Sequence, residues 1–348
     1  VELQAFLFCF IITVAITPII IKLAVYINAL DTPDIRKVHT KQMPRLGGLA
    51  IFISVLSGML IFTPYSSNVY PLLVGGIIIA ITGVLDDIIS LAPIYKLSGQ
   101  VTAALVVILS GVKIEFVNLP FGGPFEFGVL SIPITLMWII GVTNAINLVD
   151  GLDGLAAGIS SIALLTITSM AVMMGNGFVV FTGIIVLGAT LGFLVFNFYP
   201  AKIFMGDTGA MFLGFMISVL ALLGFKNVTL FSFVIPILIL GVPISDTLIT
   251  IIRRVLQNQP IMKPDFSHLH HNLLKLGCTH PQTVIIIYTL SALFSLAAVL
   301  FSQATLINSL VVATILIFST EIMIEVSQVA GEKYRPILNR VGLSRSKE

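Results

Sequence analysis

Eleven apolar runs of spanning length set the first constraint on this chain. They lie at about 3–27, 46–63, 70–85, 97–112, 131–146, 154–174, 178–196, 208–225, 230–252, 283–302 and 306–326. A helix rises 1.5 Å per residue, so such runs match a hydrocarbon core about 30 Å thick. Of 348 residues, 57% are hydrophobic and only 10% charged, a make-up that no water-soluble domain has. The sequence therefore predicts an all-α polytopic membrane protein with about eleven transmembrane helices. The chain opens Val1-Glu2-Leu3 without a basic n-region, so the first run reads as a span and not a signal peptide. No internal repeat, low-complexity tract or linker interrupts it, which points to a single integral membrane domain over 1–348.

Lysine and arginine set the orientation. With the N-terminus outside, the inner segments carry Arg36, Lys37, Lys41, Arg45, Lys96, Lys202, Arg253, Arg254, Lys263, Lys275 and five more after 327. The outer segments carry only Lys113 and Lys226. Cytoplasmic loops hold the excess of positive charge, so the N-terminus is expected outside and the C-terminus in the cytoplasm. The outer loop alternates around Pro120-Phe-Gly-Gly-Pro124 and predicts a short β-hairpin near 114–128. The inner stretch Phe266 to Leu276 spaces its leucines as a helix does and predicts an amphipathic helix on the membrane surface.

Some chemistries are excluded at this stage. The net charge is +2 and no basic run occurs, so nothing points to nucleic acid. Cys9 and Cys278 give neither a disulfide framework nor a zinc-ligand spacing.

The acid lies almost entirely on one side. Asp86, Asp87, Asp150, Asp153 and Asp207 fall at inner helix ends, whereas the outer face has only Glu2, Glu115 and Glu126. The stretch Asn144-Ala-Ile-Asn-Leu-Val-Asp-Gly-Leu-Asp-Gly154 concentrates amides, carboxylates and glycines. Its Asn147, Asp150 and Asp153 are three apart and would share one helix face. A polar turn would account for one aspartate there; it accounts poorly for a cluster, because ionisable groups at a membrane edge are expensive. Carboxylates with an asparagine suit a hard cation such as Mg²⁺ that bridges to phosphate. Adjacent Asp86 and Asp87 raise one another's pKa, which favours a base, though helix-end solvation is the plainer alternative. Their side chains diverge by about 100° on a helix, so the two cannot serve one atom equally. Lys96, Lys41 and Arg45 could neutralise phosphate, or simply be positive-inside residues. His268, His270 and His271 lack a nearby cysteine or carboxylate to complete a zinc set, and read better as donors to a sugar or phosphate. Asp246, inside the ninth run, is expected to pair with Arg253 or Lys22.

Four motifs in order, Asp86-Asp87, the 144–154 stretch, Phe204-Met-Gly-Asp-Thr-Gly209 and His268-Leu-His-His271, resemble those of the polyprenyl-phosphate N-acetylhexosamine-1-phosphate transferases. The likeness runs from Lys37-Val-His39 to Leu274. It implies transfer of a sugar 1-phosphate from a UDP-sugar to undecaprenyl phosphate, releasing UMP, with Mg²⁺ or substituting Mn²⁺. It also implies Asp207 and Asn147 as metal ligands, Lys96 as a diphosphate contact, Asp153 as a uracil contact and Phe204 as the ring that stacks on it. Asp86 is implied as the base, Asp87 beside it, and Asp150 as functional in the same motif. Partners would be the UDP-sugar, undecaprenyl phosphate and the lipid bilayer of the bacterial inner membrane, with room for a homodimer and no nucleic acid.

The histidine motif and Lys37 to Gly48 look most like the GlcNAc-1-phosphate branch, which starts teichoic-acid linkage units or the O-antigen of lipopolysaccharide. The short inner loop at 257–282 suits a small sugar better than the pentapeptide-bearing one of the peptidoglycan translocase, the nearest alternative. A cation-coupled secondary transporter would instead need ionisable residues near mid-membrane on interrupted helices, usually with repeats. An intramembrane aspartyl protease would need two facing mid-span aspartates, and Asp207 is at a helix end.

Overall fold

In the computed structural model, residues 1–32, 42–62, 66–119, 123–225, 234–256, 258–259, 268–303, 306–327 and 336–337 are described. The helices are α1 (Glu2–Tyr26), α2 (Gly47–Phe62), α3 (Val69–Ile89), α4 (Pro93–Leu109), α5 (Ser131–Val149), α6 (Leu155–Met173) and α7 (Gly177–Asn197). They continue with α8 (Gly206–Phe225), α9 (Val234–Ile239), α10 (Gly241–Leu256), α11 (Leu269–Lys275), α12 (His280–Phe301) and α13 (Leu306–Ser327). Among the described residues, eight helical segments are long and apolar enough to cross a membrane, and α2 and α4 are shorter apolar helices. This is a multi-pass membrane protein. The chain divides into two compact units, Val1–Pro236 and Ile237–Glu348.

In the first unit α8 is the central helix, with 94% of its most apolar window buried. It packs on α2, α3, α5, α6 and α7. Close approach is achieved with small residues, because lipid offers apolar side chains no reason to prefer protein. A Cβ on Gly48 would run into the backbone of Gly209, so α2 and α8 touch main chain to main chain. Polar side chains add specificity between helices. Gln100 on α4 and Asn144 on α5 exchange amide hydrogen bonds of 2.8 and 3.2 Å, and the Trp138 indole donates to the Ser218 carbonyl at 3.1 Å. Each such bond contributes about 0.6–2 kcal/mol in a membrane. The hydroxyls of Thr13, Thr17, Thr143 and Thr190 turn back on the carbonyl four residues earlier, which hides them from lipid.

Two features depart from the sequence reading. The ninth apolar run forms two helices, α9 and α10, separated at Leu240. Pro243 has no N–H to give the Ile239 carbonyl, which ends one helix and restarts the next. The leucines at 269 and 273 do not lie on a membrane surface: both are buried, 3% and 1% exposed, and α11 packs on α12 and α13 within the second unit. In the loop expected to form a hairpin, Phe116–Leu119 and Gly123–Glu126 pair antiparallel, Phe116 opposite Glu126.

Candidate active site

The site of the first unit is assembled where four segments meet: the last turn of α3, the first of α4, the α5–α6 loop and the first turn of α8. Ser90, with φ 51°, turns the chain sharply after α3, and Pro93 starts α4. That short link returns Lys96 alongside the end of α3. The Lys96 ammonium lies 2.6 Å from Asp86 Oδ2 and 2.5 Å from Asp207 Oδ2. Asp86 spends its other oxygen on the Leu91 backbone N–H at 2.7 Å, which fixes the turn itself.

Asp87 faces the other way. Its Oδ1 accepts from the Asp207 N–H at 2.9 Å and from Arg45, 3.1 Å from Nε and 3.0 Å from Nη2. Its Oδ2 accepts from the Thr208 N–H at 3.1 Å and the Thr208 hydroxyl at 2.6 Å. Gly206, at φ +70°, precedes them, and a Cβ there would meet the Arg45 carbonyl and both Asp87 oxygens. Only glycine fits that corner. The segment before α2 is tied to the same loop, since Phe204 N–H donates to Pro44 O at 2.8 Å, Gly47 to Phe204 O at 3.0 Å and Gly48 to Met205 O at 2.8 Å.

The 144–154 stretch behaves differently from its helical expectation. Helix α5 stops at Val149, and Asp150 has φ −74° and ψ 61°, so Asn147, Asp150 and Asp153 do not share a helix face. Gly151 has no regular structure, Leu152 bends the chain and Asp153-Gly154 form the turn into α6. Two bonds fasten this turn to the end of α7 and the loop that follows: Asp153 Oδ2 accepts from Ala201 N–H at 2.9 Å, and Asn197 Oδ1 accepts from Gly154 N–H at 3.1 Å. Asn197, only 2% exposed, also donates to the Ile203 carbonyl at 2.9 Å. Asn197 and Thr208 were not singled out in the sequence; the signal for Asn197 was a lone amide closing an apolar run.

Electrostatics binds the cluster together. Asp150 keeps a little exposed surface but is hemmed in by protein atoms, and that burial pushes its carboxyl up to about 8. The charges of Asp207, Asp87 and Asp153 act in the same direction, and Arg45 opposes them. Four carboxylates, Asp86, Asp87, Asp153 and Asp207, thus stand against two cations, Arg45 and Lys96, while Asp150 keeps its proton at neutral pH. This surplus of hard oxygen donors fits a divalent cation such as Mg²⁺, in charge and in ligand type. Asn147, in the last turn of α5, is partly exposed and able to add an amide oxygen. Phe204 is partly exposed beside them. Lys41 lies outside the described residues.

The histidines belong to the second unit. His268 precedes α11 with extended backbone and lies outside its helical turns, whereas His270 and His271 lie within them. His268 Nδ1 lies 2.9 Å from Asp246 Oδ2, and Asp246 Oδ1 accepts from the Leu269 N–H at 2.8 Å. A carboxylate therefore does stand by the motif, and Asp246 is engaged by His268 and the Leu269 N–H, where Arg253 or Lys22 was expected. The rings of His268 and His270 stack with centroids 6.0 Å apart, and His270 and His271 lie 4.2 Å apart. Burial, reinforced by the charges of its histidine neighbours, holds His270 well below the usual imidazole range. Among the described residues no group of three or more His, Cys, Asp or Glu side chains is placed to hold a metal ion. The surplus of acid in the first unit is thus an argument from charge and donor type.

Comparison with known proteins agrees with these motifs. The model of glycosyl transferase family 4 matches residues 69–225, from the start of α3 to the end of α8. A Bacillus subtilis protein named "probable undecaprenyl-phosphate N-acetylglucosaminyl 1-phosphate transferase" is 48% identical over 95% of this chain and 94% of its own. The decaprenyl-phosphate N-acetylglucosaminephosphotransferase of Mycolicibacterium smegmatis is 36% identical over 76% of this chain and 73% of its own. The phospho-N-acetylmuramoyl-pentapeptide-transferase of Halalkalibacterium halodurans is 32% identical over 86% and 97%. With likeness running along almost its whole length, the chain belongs to glycosyl transferase family 4.

Proposed function

We propose that this protein transfers GlcNAc-1-phosphate from UDP-GlcNAc to undecaprenyl phosphate, yielding undecaprenyl-diphosphate-GlcNAc and UMP. The observation that carries the reading is the 48% identity to the Bacillus subtilis protein, which spans both units. The pentapeptide-transferase relative is similar over a comparable length but at 32% identity, so it is the weaker guide to the sugar. The reaction would be the first lipid-linked step of a surface polymer such as a teichoic-acid linkage unit or O-antigen.

The chain would cross the bacterial inner membrane eleven times, N-terminus outside and C-terminus in the cytoplasm. The acidic cluster then faces the cytoplasm, where the nucleotide arrives, while the lipid keeps its tail in the bilayer. Asp207 and Asn147 would hold Mg²⁺, with Mn²⁺ a substitute. When bound, the cation neutralises charge on the diphosphate and on the phosphate that attacks it. Lys96 adds its own positive charge beside Asp207. Asp86 would take a proton from the acceptor phosphate, whose second pKa near 6 leaves much of it already dianionic at neutral pH. Asp153 and Phe204 would receive the uracil, the ring stacking on Phe204. Attack of one phosphate on another needs little beyond positioning and charge stabilisation, which this rigid polar cluster supplies.

The test is UMP release by purified protein with undecaprenyl phosphate and Mg²⁺, comparing UDP-GlcNAc with UDP-MurNAc-pentapeptide. Release with UDP-GlcNAc is expected. Release with the pentapeptide donor alone would contradict the assignment.

A further inference from the structure

We propose that Asp87 is a positioning residue, which anchors the first turn of α8 and thereby aims Asp207, and that Arg45 serves as its counter-ion. The inference rests on the reading above in which Asp207 meets the cation. It divides two adjacent aspartates that the sequence alone treats as one acidic pair.

The geometry leaves Asp87 no part in the chemistry itself. A carboxylate offers about four lone-pair sites. Asp87 has five donors on its two oxygens: the N–H groups of Asp207 and Thr208, the Thr208 hydroxyl, and Nε and Nη2 of Arg45. Its side chain is 0% exposed. A helix start leaves its first N–H groups without intrahelical partners and carries partial positive charge. The residue that usually caps such groups sits just before the helix; here Met205 holds that place and Gly206 opens the helix, and neither offers a side-chain oxygen. The cap comes from α3 instead. Because the first captured N–H belongs to Asp207 itself, any movement of Asp87 moves the backbone from which the Asp207 carboxylate springs.

Arg45 fits the same account. Its guanidinium makes two contacts to one carboxylate oxygen, and its backbone is held by the Ala29 carbonyl at 3.2 Å. Aimed at Asp87, it balances a charge that would otherwise be buried alone. Asp86 differs in that its Oδ2 shares Lys96 with Asp207, the residue that is 22% exposed.

The experiment measures Mn²⁺ binding to purified protein by electron paramagnetic resonance, alongside kcat and KM for UDP-GlcNAc, in Asp87→Asn, Thr208→Ala and Arg45→Gln. Loss of a group that orients a ligand weakens metal affinity by about 10- to 100-fold. Asp87→Asn is expected to show that weakening together with a lower kcat. Arg45→Gln is expected to weaken Mn²⁺ binding while the KM for the donor stays within about two-fold. Thr208→Ala should weaken Mn²⁺ in the same direction, and serves if Asp87→Asn does not fold. Wild-type Mn²⁺ affinity in Asp87→Asn, with kcat alone reduced, would make Asp87 a group that meets the reacting atoms and overturn the proposal. A tenfold rise in donor KM for Arg45→Gln at unchanged Mn²⁺ affinity would equally overturn it, by making Arg45 a substrate contact. Absence of UMP release by the wild type would count against the proposed reaction only, since the Mn²⁺ measurements still decide the role of Asp87.

Discussion

Among the described residues, two helices start on a carboxylate borrowed from another helix, and the two arrangements differ in what they hold. Asp87 on α3 captures the start of α8, with Arg45 as its ionic partner. Asp246 on α10 captures the start of α11 through the Leu269 N–H, with His268 as its partner. The first carboxylate takes five donors and a partner that is charged at every accessible pH. The second takes two close donors, and the Thr250 hydroxyl is 3.4 Å from the same His268 nitrogen. The α8 start leads directly to Asp207 and the shared lysine; the α11 start leads to a pair of buried imidazoles. A cap tied to a fixed charge and five donors makes a rigid platform, whereas the second rests on fewer contacts.

The largest expected effect comes from the residue at the end of the rigid platform. Asp207→Asn should lower UMP release by at least about 10²- to 10³-fold while the protein stays folded, because the residue is partly exposed at a helix end. Near wild-type release at ordinary Mg²⁺ would remove Asp207 from the site. Next come the caps themselves, compared by thermal unfolding in detergent. Asp87→Ala should cost about 3 kcal/mol, since it strands Arg45 and several buried donors at once. Asp246→Ala should cost about 1–2 kcal/mol, close to an ordinary lost cap. Equal losses would erase the distinction between the two.

The smallest effect concerns the imidazoles. His270 binds a proton less readily folded than unfolded, because it is buried and faces other histidines. Its neutral form therefore contributes stability that is present above the unfolded value near 6.5 and is lost as pH falls below it. Protection of α11 amides from hydrogen exchange, corrected for intrinsic rates, should drop between pH 7.5 and 5.5. The drop should be smaller in His270→Phe. The same drop in both proteins would move the effect to another group.

What the sequence displayed was the class of molecule and the roster of charged residues. Apolar runs and lone carboxylates are local signals: Asp86, Lys96 and Asp207 stand out because so little else near them is charged. Which oxygen meets which donor is not local. Asp86 and Asp87 look alike in sequence, yet the short link to α4 gives Asp86 a lysine, and the approach of α8, from 120 residues further on, gives Asp87 a helix start. Asn197 and Thr208 gained their parts the same way, through loops that meet in space. The spacing of Asn147, Asp150 and Asp153 misled because a period of three has meaning only while the helix lasts, and α5 ends at Val149. The division of the ninth run was readable in principle from Pro243, whose missing N–H breaks the ladder.

The central claim is that a cation-binding centre is built on Asp207 with Asp87 as its hidden support. Mn²⁺ soaked into crystals of the protein, followed by an anomalous difference map, tests it directly. The account predicts a peak about 2.0–2.2 Å from an Asp207 carboxylate oxygen, with the Asp87 oxygens still on the start of α8 and Arg45. A peak coordinated by Asp87, or saturating Mn²⁺ bound elsewhere with Asp207 untouched, would contradict it.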